Sequence, residues 1–270
     1  VNKIFTSSIN MLFYLCLGCV FSAQASSQNQ VVLASDPWCP KVCFDSSENP
    51  GYVVEAASFA LSRHGYELKA LELPWSRAIR SVENGTIDGL LTDPTGNTEN
   101  IILPEHAYFY ATAGYAIHNR VQHPHVLSVS DLNKIRFKLI QDYDYSLLPI
   151  YDDIVKNQGK AVYIKGNDSL HRILKLIVSN RADATIDDIE VLNYNIHKMS
   201  FSSVFHTLPI SDPVRVYISI SRKHPDAEKI ARILSNEIHA MKLNGQMDSI
   251  MRKYLITPEE DLHSPWKPSL

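Results

Sequence analysis

From residue 30 to residue 91 the chain alternates strand, loop, helix, strand, helix and strand, and this narrows its fold more than any other feature. Apolar strands joined through helices form a sheet with crossover helices packed on its faces, an α/β architecture. Residues 31–34 make a short, wholly apolar strand. The loop 35–51 carries Trp38, two cysteines and Pro50. Residues 52–64 then repeat apolar groups at Val53, Ala56, Ala57, Ala60 and Leu61, the spacing of a helix buried on one face and stopped at Gly65. A second strand over 66–73 ends at Pro74, a helix over 75–84 closes at Gly85, and a third strand is predicted over 87–91. In such sheets the ligand crevice lies beyond the carboxyl ends of the strands. Asp36 and Trp38, Pro74 and Trp75, and Thr92 and Asp93 are therefore placed along one rim.

The alternation starts again between residues 115 and 213. Residues 128–132 read as a helical turn and 136–140 as a strand. A helix over 168–181 is capped by Asp168 or Ser169, with Leu170, Ile173, Leu174 and Ile177 inward. A strand over 184–186 delivers Asp187 and Asp188 at its end. After a strand over 214–220, Pro225 opens a helix with Ile230, Ile233, Leu234, Ile238 and Met241 on one face. Asn244-Gly245 breaks it before a last helix to Tyr254. Periodicity permits two consecutive domains or one domain inserted in the other. With 270 residues, 45% of them hydrophobic, the chain can bury a sizeable core. Its 29 acidic against 26 basic side chains exclude disorder and leave no electrostatic footprint for nucleic acid.

A lone cation, Lys3, precedes the apolar run 11–21, followed by Ser22 and the small-x-small triplet Ala23-Gln24-Ala25. This is the pattern of a secretory signal cleaved after Ala25, because eleven apolar residues fall short of the roughly 17 to 25 that cross a bilayer. Cleavage leaves Cys39 and Cys43 as the only thiols in an oxidising compartment, and a disulfide between them is expected. The rival redox pair usually has two intervening residues, and no metal site can be completed, since matching Cys or His spacings are missing. His123-Pro124-His125 reads as a surface turn. No GxSxG, HExxH, GxGxxG or phosphate loop is present, so no catalytic residue, metal or cofactor is expected.

Three stretches, PWSRAIRSVENGTIDGLLTD at 74–93, SNRADATIDD at 179–188 and MKLNGQMDSIMRKYL at 241–255, look like the three best-known sequence blocks of the family 3 periplasmic solute-binding proteins. The resemblance runs over essentially the whole mature chain, in the family's order and at its spacing. It implies a two-lobed periplasmic-binding-protein type II (Venus-flytrap) fold. Lobe 1 would span 26–113 and 218–270, lobe 2 would span 114–217, and the crossings near 113–115 and 213–215 would form the hinge. It also implies a monomeric periplasmic receptor that closes on a small polar solute, amino-acid-like or a cationic amine, and presents it to the membrane permease of an ABC importer. Closure follows because a solute lying between two lobes touches both only in the closed form.

The resemblance places Asp188 at the family's acidic position, which accepts a ligand ammonium; the local alternative is a helix N-cap. Its neighbour Asp187 is expected in solvent. Trp75 and Arg77 stand at the head of a helix after a strand end, where Trp offers a stacking face and Arg a fork for carboxylate. The alternative puts Trp75 in the core and Arg77 on a wet surface. Trp38 in the first loop, and Tyr143 and Tyr145 after the lobe 2 strand, are further candidate walls. Asp93 and Asn100 mark a departure: where amino-acid binders carry a Thr and then an Arg for the ligand carboxylate, this chain reads TDPTGNTEN, and Asn100 falls in place of the Arg. Losing a bidentate charged partner costs a buried carboxylate roughly 2 to 5 kcal/mol. Either Arg77 takes over the carboxylate or the ligand has none, and Asp93 with Asp188 favours a cation. Two other functions fit the same fold, a periplasmic dehydratase of the cyclohexadienyl type and a ligand-sensing adaptor for a membrane signalling protein.

Overall fold

The computed structural model describes residues 29–254 apart from 46, 94–98, 122–131, 133, 147, 149–160 and 167. The expected secretory signal, the His123-Pro124-His125 turn and most of the 128–132 turn lie outside the described residues.

The first sheet has the order β2-β1-β3-β11-β4, with β5 also on β11. β1 (Asn29–Ser35) runs parallel to β2 (Tyr66–Glu72) and β3 (Gly89–Asp93), whereas β11 (Val214–Ser221) returns antiparallel to β3, β4 (Ile101–Ile102) and β5 (Phe109–Ala111). One face is covered by α1 (Tyr52–Ser62), α5 (Ala227–Leu243) and α6 (Gln246–Arg252), which share a core with Val31, Leu33, Leu91 and Ile218. The three alanines of α1 at 56, 57 and 60 are completely buried and let the helix sit close on the strands. The other face carries α2 (Trp75–Asn84), which buries only Ala78 and Val82 and ends at Gly85 in the left-handed conformation (φ 71°).

A second sheet, antiparallel in the order β10-β6-β9, holds β6 (Ala113–His118) between β10 (Phe205–Pro209) and β9 (Ala184–Asp188). The parallel pair β7 (Lys138–Ile140) and β8 (Val162–Ile164) is joined to β9 through a bridge from Phe137 to Ala184. Two cores flank these strands. One forms around Tyr115, Ile117, Phe137 and Tyr145; the other lies under α3 (Ser169–Val178) and α4 (Ile189–Lys198), around Ile173, Leu174, Ile177 and Leu192. The chain passes from the first sheet to the second at Thr112 and back over residues 210–213. One half is thus inserted in the other, the second of the two arrangements periodicity allowed.

Several element ends differ from the sequence expectation for local reasons. The third strand begins at Gly89, not at 87, because Asp88 is used as a clip: its carboxylate accepts from Val32 N–H (2.7 Å) and its carbonyl from Ser221 N–H (2.7 Å). The strand expected from 136 starts at Lys138, since Arg136 instead grips Asp183 through Nε (2.7 Å) and Nη2 (2.8 Å). Burial raises the Asp183 carboxyl, but the guanidinium groups of Arg136 and Arg120 outweigh it and hold that carboxyl well below the usual range. α3 ends at Val178, where Asn180 turns left-handed (φ 62°) and Arg181 N–H reaches back to Leu176 O. Asp168 stands at its N-cap position without a side-chain cap bond.

Candidate functional site

The carboxyl ends of β1 and β9 face one another from the two halves, and the loops after them supply most of the polar contacts between the halves. The β1 loop contains Asp36, Trp38 and the turn 38–43. Cys39 and Cys43 are joined by a disulfide, with Cα atoms 4.9 Å apart. Inside that turn Lys41 N–H donates to Trp38 O (2.9 Å), and Trp38 N–H to Val42 O (2.8 Å). Gly51, at φ 100°, packs so closely on this turn that a Cβ there would lie 2.3 Å from Lys41 O.

The turn directs Lys41 across to the other half. Its side chain is completely buried, and its Nζ donates to Asp188 Oδ1 (2.5 Å) and to Glu190 Oε2. The ammonium also lies over the rings of Trp38 (5.0 Å) and Phe109 (5.2 Å). Burial works against its charge, but the two carboxylates outweigh burial and hold the lysine above its usual range. Tyr52 OH donates to the same Glu190 oxygen (2.9 Å).

Asp188 is consequently saturated. It is the N-cap of α4, where Oδ1 accepts from Glu190 N–H and Val191 N–H (both 3.1 Å), and its Oδ2 accepts from Thr112 N–H (3.0 Å). The capping alternative is therefore what the structure shows, with Lys41 added as its counter-ion. Sequence reasoning missed Lys41. Its one local signal is a lysine enclosed between two bridged cysteines, beside a tryptophan.

Asp187 behaves differently from both its neighbour and the sequence expectation. It is 6% exposed, not solvated, because β9 is covered on both sides at its end. Oδ1 accepts from Trp38 Nε1 (2.8 Å) and from Asp188 N–H (2.7 Å), while Oδ2 has no hydrogen-bond partner among the described residues. Leaving a buried acceptor unsatisfied costs about 1 to 3 kcal/mol. Burial pushes this carboxyl up to about 7. Across from it Asp36 accepts from Tyr143 OH (2.7 Å), and burial pushes Asp36 up to about 6. The charge of Asp36 also acts on Asp187, and both carboxyls act on Tyr143 and Tyr145. No ion pair reaches either aspartate among the described residues.

The remaining sequence candidates fall on both sides of this cluster. Tyr145 is buried in the second half's core, where its hydroxyl accepts from Ile140 N–H (3.0 Å). Trp75 packs on the apolar cluster of Ala34, Ala78 and Leu90 under α2, and Arg77 is exposed in the first turn of that helix. Its neighbour Ser76 instead reaches Asp142 of the other half (3.2 Å). Asp93 is buried at the end of β3, in register with Tyr217. Asn100 is not brought to the cluster. Because β4 pairs Ile101 with Ser221, the residue before it lies at the opposite end of the sheet, exposed, with its carbonyl accepting from Arg222 N–H (2.8 Å). A surface pocket of about 420 Å³ opens beside it, between Arg222, His224, Asp226 and Lys229. These are surface groups, half-buried at most, and far from the facing aspartates. Cys39, Cys43 and Asp45 lie close enough together to suggest metal ligands, but both sulfurs are used in the disulfide and Asp45 pairs with Lys198 (2.5 Å).

No protein-family model and no curated protein matches the sequence. Solved structures do match. A mutant of ArgBP from T. maritima superposes with a TM-score of 0.66 at 15% identity, covering 85% of this chain and 96% of that one. The amino acid ABC transporter substrate-binding protein AbpA from Streptococcus pneumoniae, bound to L-arginine, gives 0.67 at 15% identity over 84% and 95%. An ancestral amino-acid-binding protein described as a precursor of cyclohexadienyl dehydratase gives 0.65 at 16% over 84% and 96%. This chain has their fold. The α/β class expected from the alternation and the two-lobed architecture implied by the three sequence blocks are the observed ones.

Proposed function

We propose that the protein is an exported solute-binding receptor, directed across the inner membrane by residues 1–25, that closes as a monomer around a small polar solute and presents it to the permease of an ABC importer. We take the lobes, expected at 26–113 with 218–270 and at 114–217, to divide where the chain changes sheet, at Thr112 and over 210–213, and to bend there. The observation that carries this reading is the facing of two half-sites across the crossings. Trp38 and Asp36 from one half meet Asp187 and Tyr143 from the other, and a buried carboxylate oxygen there has no hydrogen-bond partner among the described residues. Groups that pair only when the halves meet make closure depend on what lies between them. The likeness to substrate-binding proteins, including one bound to L-arginine, supports the same reading. Among the described residues no helix is long and apolar enough to cross a membrane.

On this reading the chain performs no bond-making. The test is a thermal-shift screen over amino acids, amines, sugars and dicarboxylates, followed by small-angle scattering with any hit. A solute at a hundred times its dissociation constant adds about 2.7 kcal/mol of stability and should shrink the radius of gyration. The dehydratase function is tested in parallel by incubating the protein with prephenate or arogenate and following product absorbance. Measured turnover there would replace the receptor reading, and capture of a membrane signalling protein in place of a permease would favour the sensory adaptor.

A further inference from the structure

Accepting the receptor reading, we infer that the guest is an amine without a carboxylate, and that its positive charge is received by Asp36 and Asp187, one from each half, between Trp38 and Tyr143. The buried Oδ2 of Asp187, without a hydrogen-bond partner among the described residues, is the first reason. Its other oxygen is already oriented by two donors, so the side chain is held in place with one acceptor unused. Asp36 is likewise oriented by Tyr143 OH. Two buried carboxyls facing one another from the two halves, without an ion pair among the described residues, form a site whose missing component is a cation.

The second reason is what the same cleft does one residue further on. There the chain supplies its own ammonium, Lys41, and surrounds it with carboxylates and aromatic faces. Trp38 belongs to both places: its ring faces the lysine and its indole N–H holds Asp187. With Asp188 neutralised from within, a guest's charge falls to Asp187. The third reason is that, among the described residues, no cation beside the two aspartates is left for an anion. Lys41 is consumed by two carboxylates, and Arg77 is exposed on α2. A guest carboxylate would meet Asp36 and Asp187 with no described cation to balance it.

Binding should therefore release a proton. Both aspartates are raised by burial, and the other titratable groups around Asp187 are Asp188, already paired, and Tyr143 and Tyr145, both held well above their usual range and so neutral. Lys41 stands behind Trp38 with its charge fixed. An amine binds the ionised pair, so its affinity should rise as pH increases from 5.5 to 7.5, by roughly tenfold for one proton released.

The experiment is calorimetric titration of the purified protein with agmatine, putrescine, L-arginine, L-glutamine and L-glutamate at pH 5.5 and 7.5, repeated on Asp187→Asn and Asp36→Asn. Agmatine and arginine share a guanidinium and differ by the carboxylate. The expected result is binding of agmatine or putrescine at least tenfold tighter than of any of the three amino acids, with each substitution weakening it at least tenfold. Both variants preserve side-chain shape, and their unfolding midpoints, measured alongside, separate lost binding from lost folding. Amino acids binding as tightly as the amines, or amine binding unaffected in both folded variants, would overturn the inference and leave the receptor reading standing. If the wild-type protein bound nothing in the wider screen of amines, amino acids, sugars and dicarboxylates, the receptor reading itself would fail.

Discussion

Asp187 and Asp188 are neighbours in sequence, equally buried, and opposite in their electrostatic condition. Asp188 caps a helix, accepts a backbone N–H from the crossing at Thr112 and pairs with a buried lysine. Asp187 has two donors on one oxygen, none among the described residues on the other, and another carboxylate facing it. The Lys41 region is thus a completed contact between the halves, and the Asp36 region an uncompleted one. A clamp that holds itself together at one point and waits for a guest at another needs both kinds of contact.

The comparison is broken most forcefully at Lys41. Lys41→Met leaves Asp188 and Glu190 facing aromatic walls without their cation, and removing one partner of a buried ion pair costs about 3 to 5 kcal/mol. Urea denaturation should show that loss, and adding Asp188→Asn with Glu190→Gln should recover part of it. If the single variant were as stable as wild type, the completed contact would be a fiction.

Next in size is the disulfide, which fixes the turn that aims Lys41. Replacing both Cys39 and Cys43 by Ser should cost roughly 2 kcal/mol, the small value expected for so short a loop, with a lower thermal midpoint as the readout.

The uncompleted contact has an effect of opposite sign. Carboxyls raised to about 7 and about 6 when folded, against an ordinary value of 3.8, bind their protons more tightly folded than unfolded, so stability falls as pH rises from about 4 to about 7. Asp187→Asn should flatten that fall and be more stable than wild type at pH 7.5. A series of urea midpoints from pH 4.5 to 7.5 checks the sign. Asp183, held low by its arginines, works the other way: its contribution is complete above the ordinary carboxylate value and is lost as pH falls below it. The smallest effect belongs to the rim. Lys198 and Asp45 are both about half exposed, and Lys198→Ala should change stability by about 1 kcal/mol or less, vanishing in high salt.

Much of the architecture was legible in the sequence because its signals are local. Pro74 before and Gly85 after an amphipathic stretch bound a helix wherever the chain folds, and α2 occupies the expected residues 75–84. The alternation of strand and helix identified the fold class for the same reason. The rim of the first sheet was legible from chain direction in β1 and β3, but Asn100 was misplaced with it, because its level in the sheet depends on the pairing of β4 with β11. Trp38 and Tyr143 were singled out from the loops they occupy after strands and Asp188 from the family resemblance, whereas Lys41 was invisible. Its counter-ions lie 147 and 149 positions away, and no local pattern encodes such a distance.

By itself the sequence determined the alternating elements, their punctuation by proline and glycine, and the spacing that lets Cys39 meet Cys43, since each follows from backbone preference within a few residues. Tertiary structure alone decided which of two consecutive aspartates is paired with a buried lysine and which keeps an oxygen unpaired among the described residues. At the junction of β9 and α4 adjacent side chains leave the backbone in different directions, and the charge each one meets is carried by the other half of the molecule.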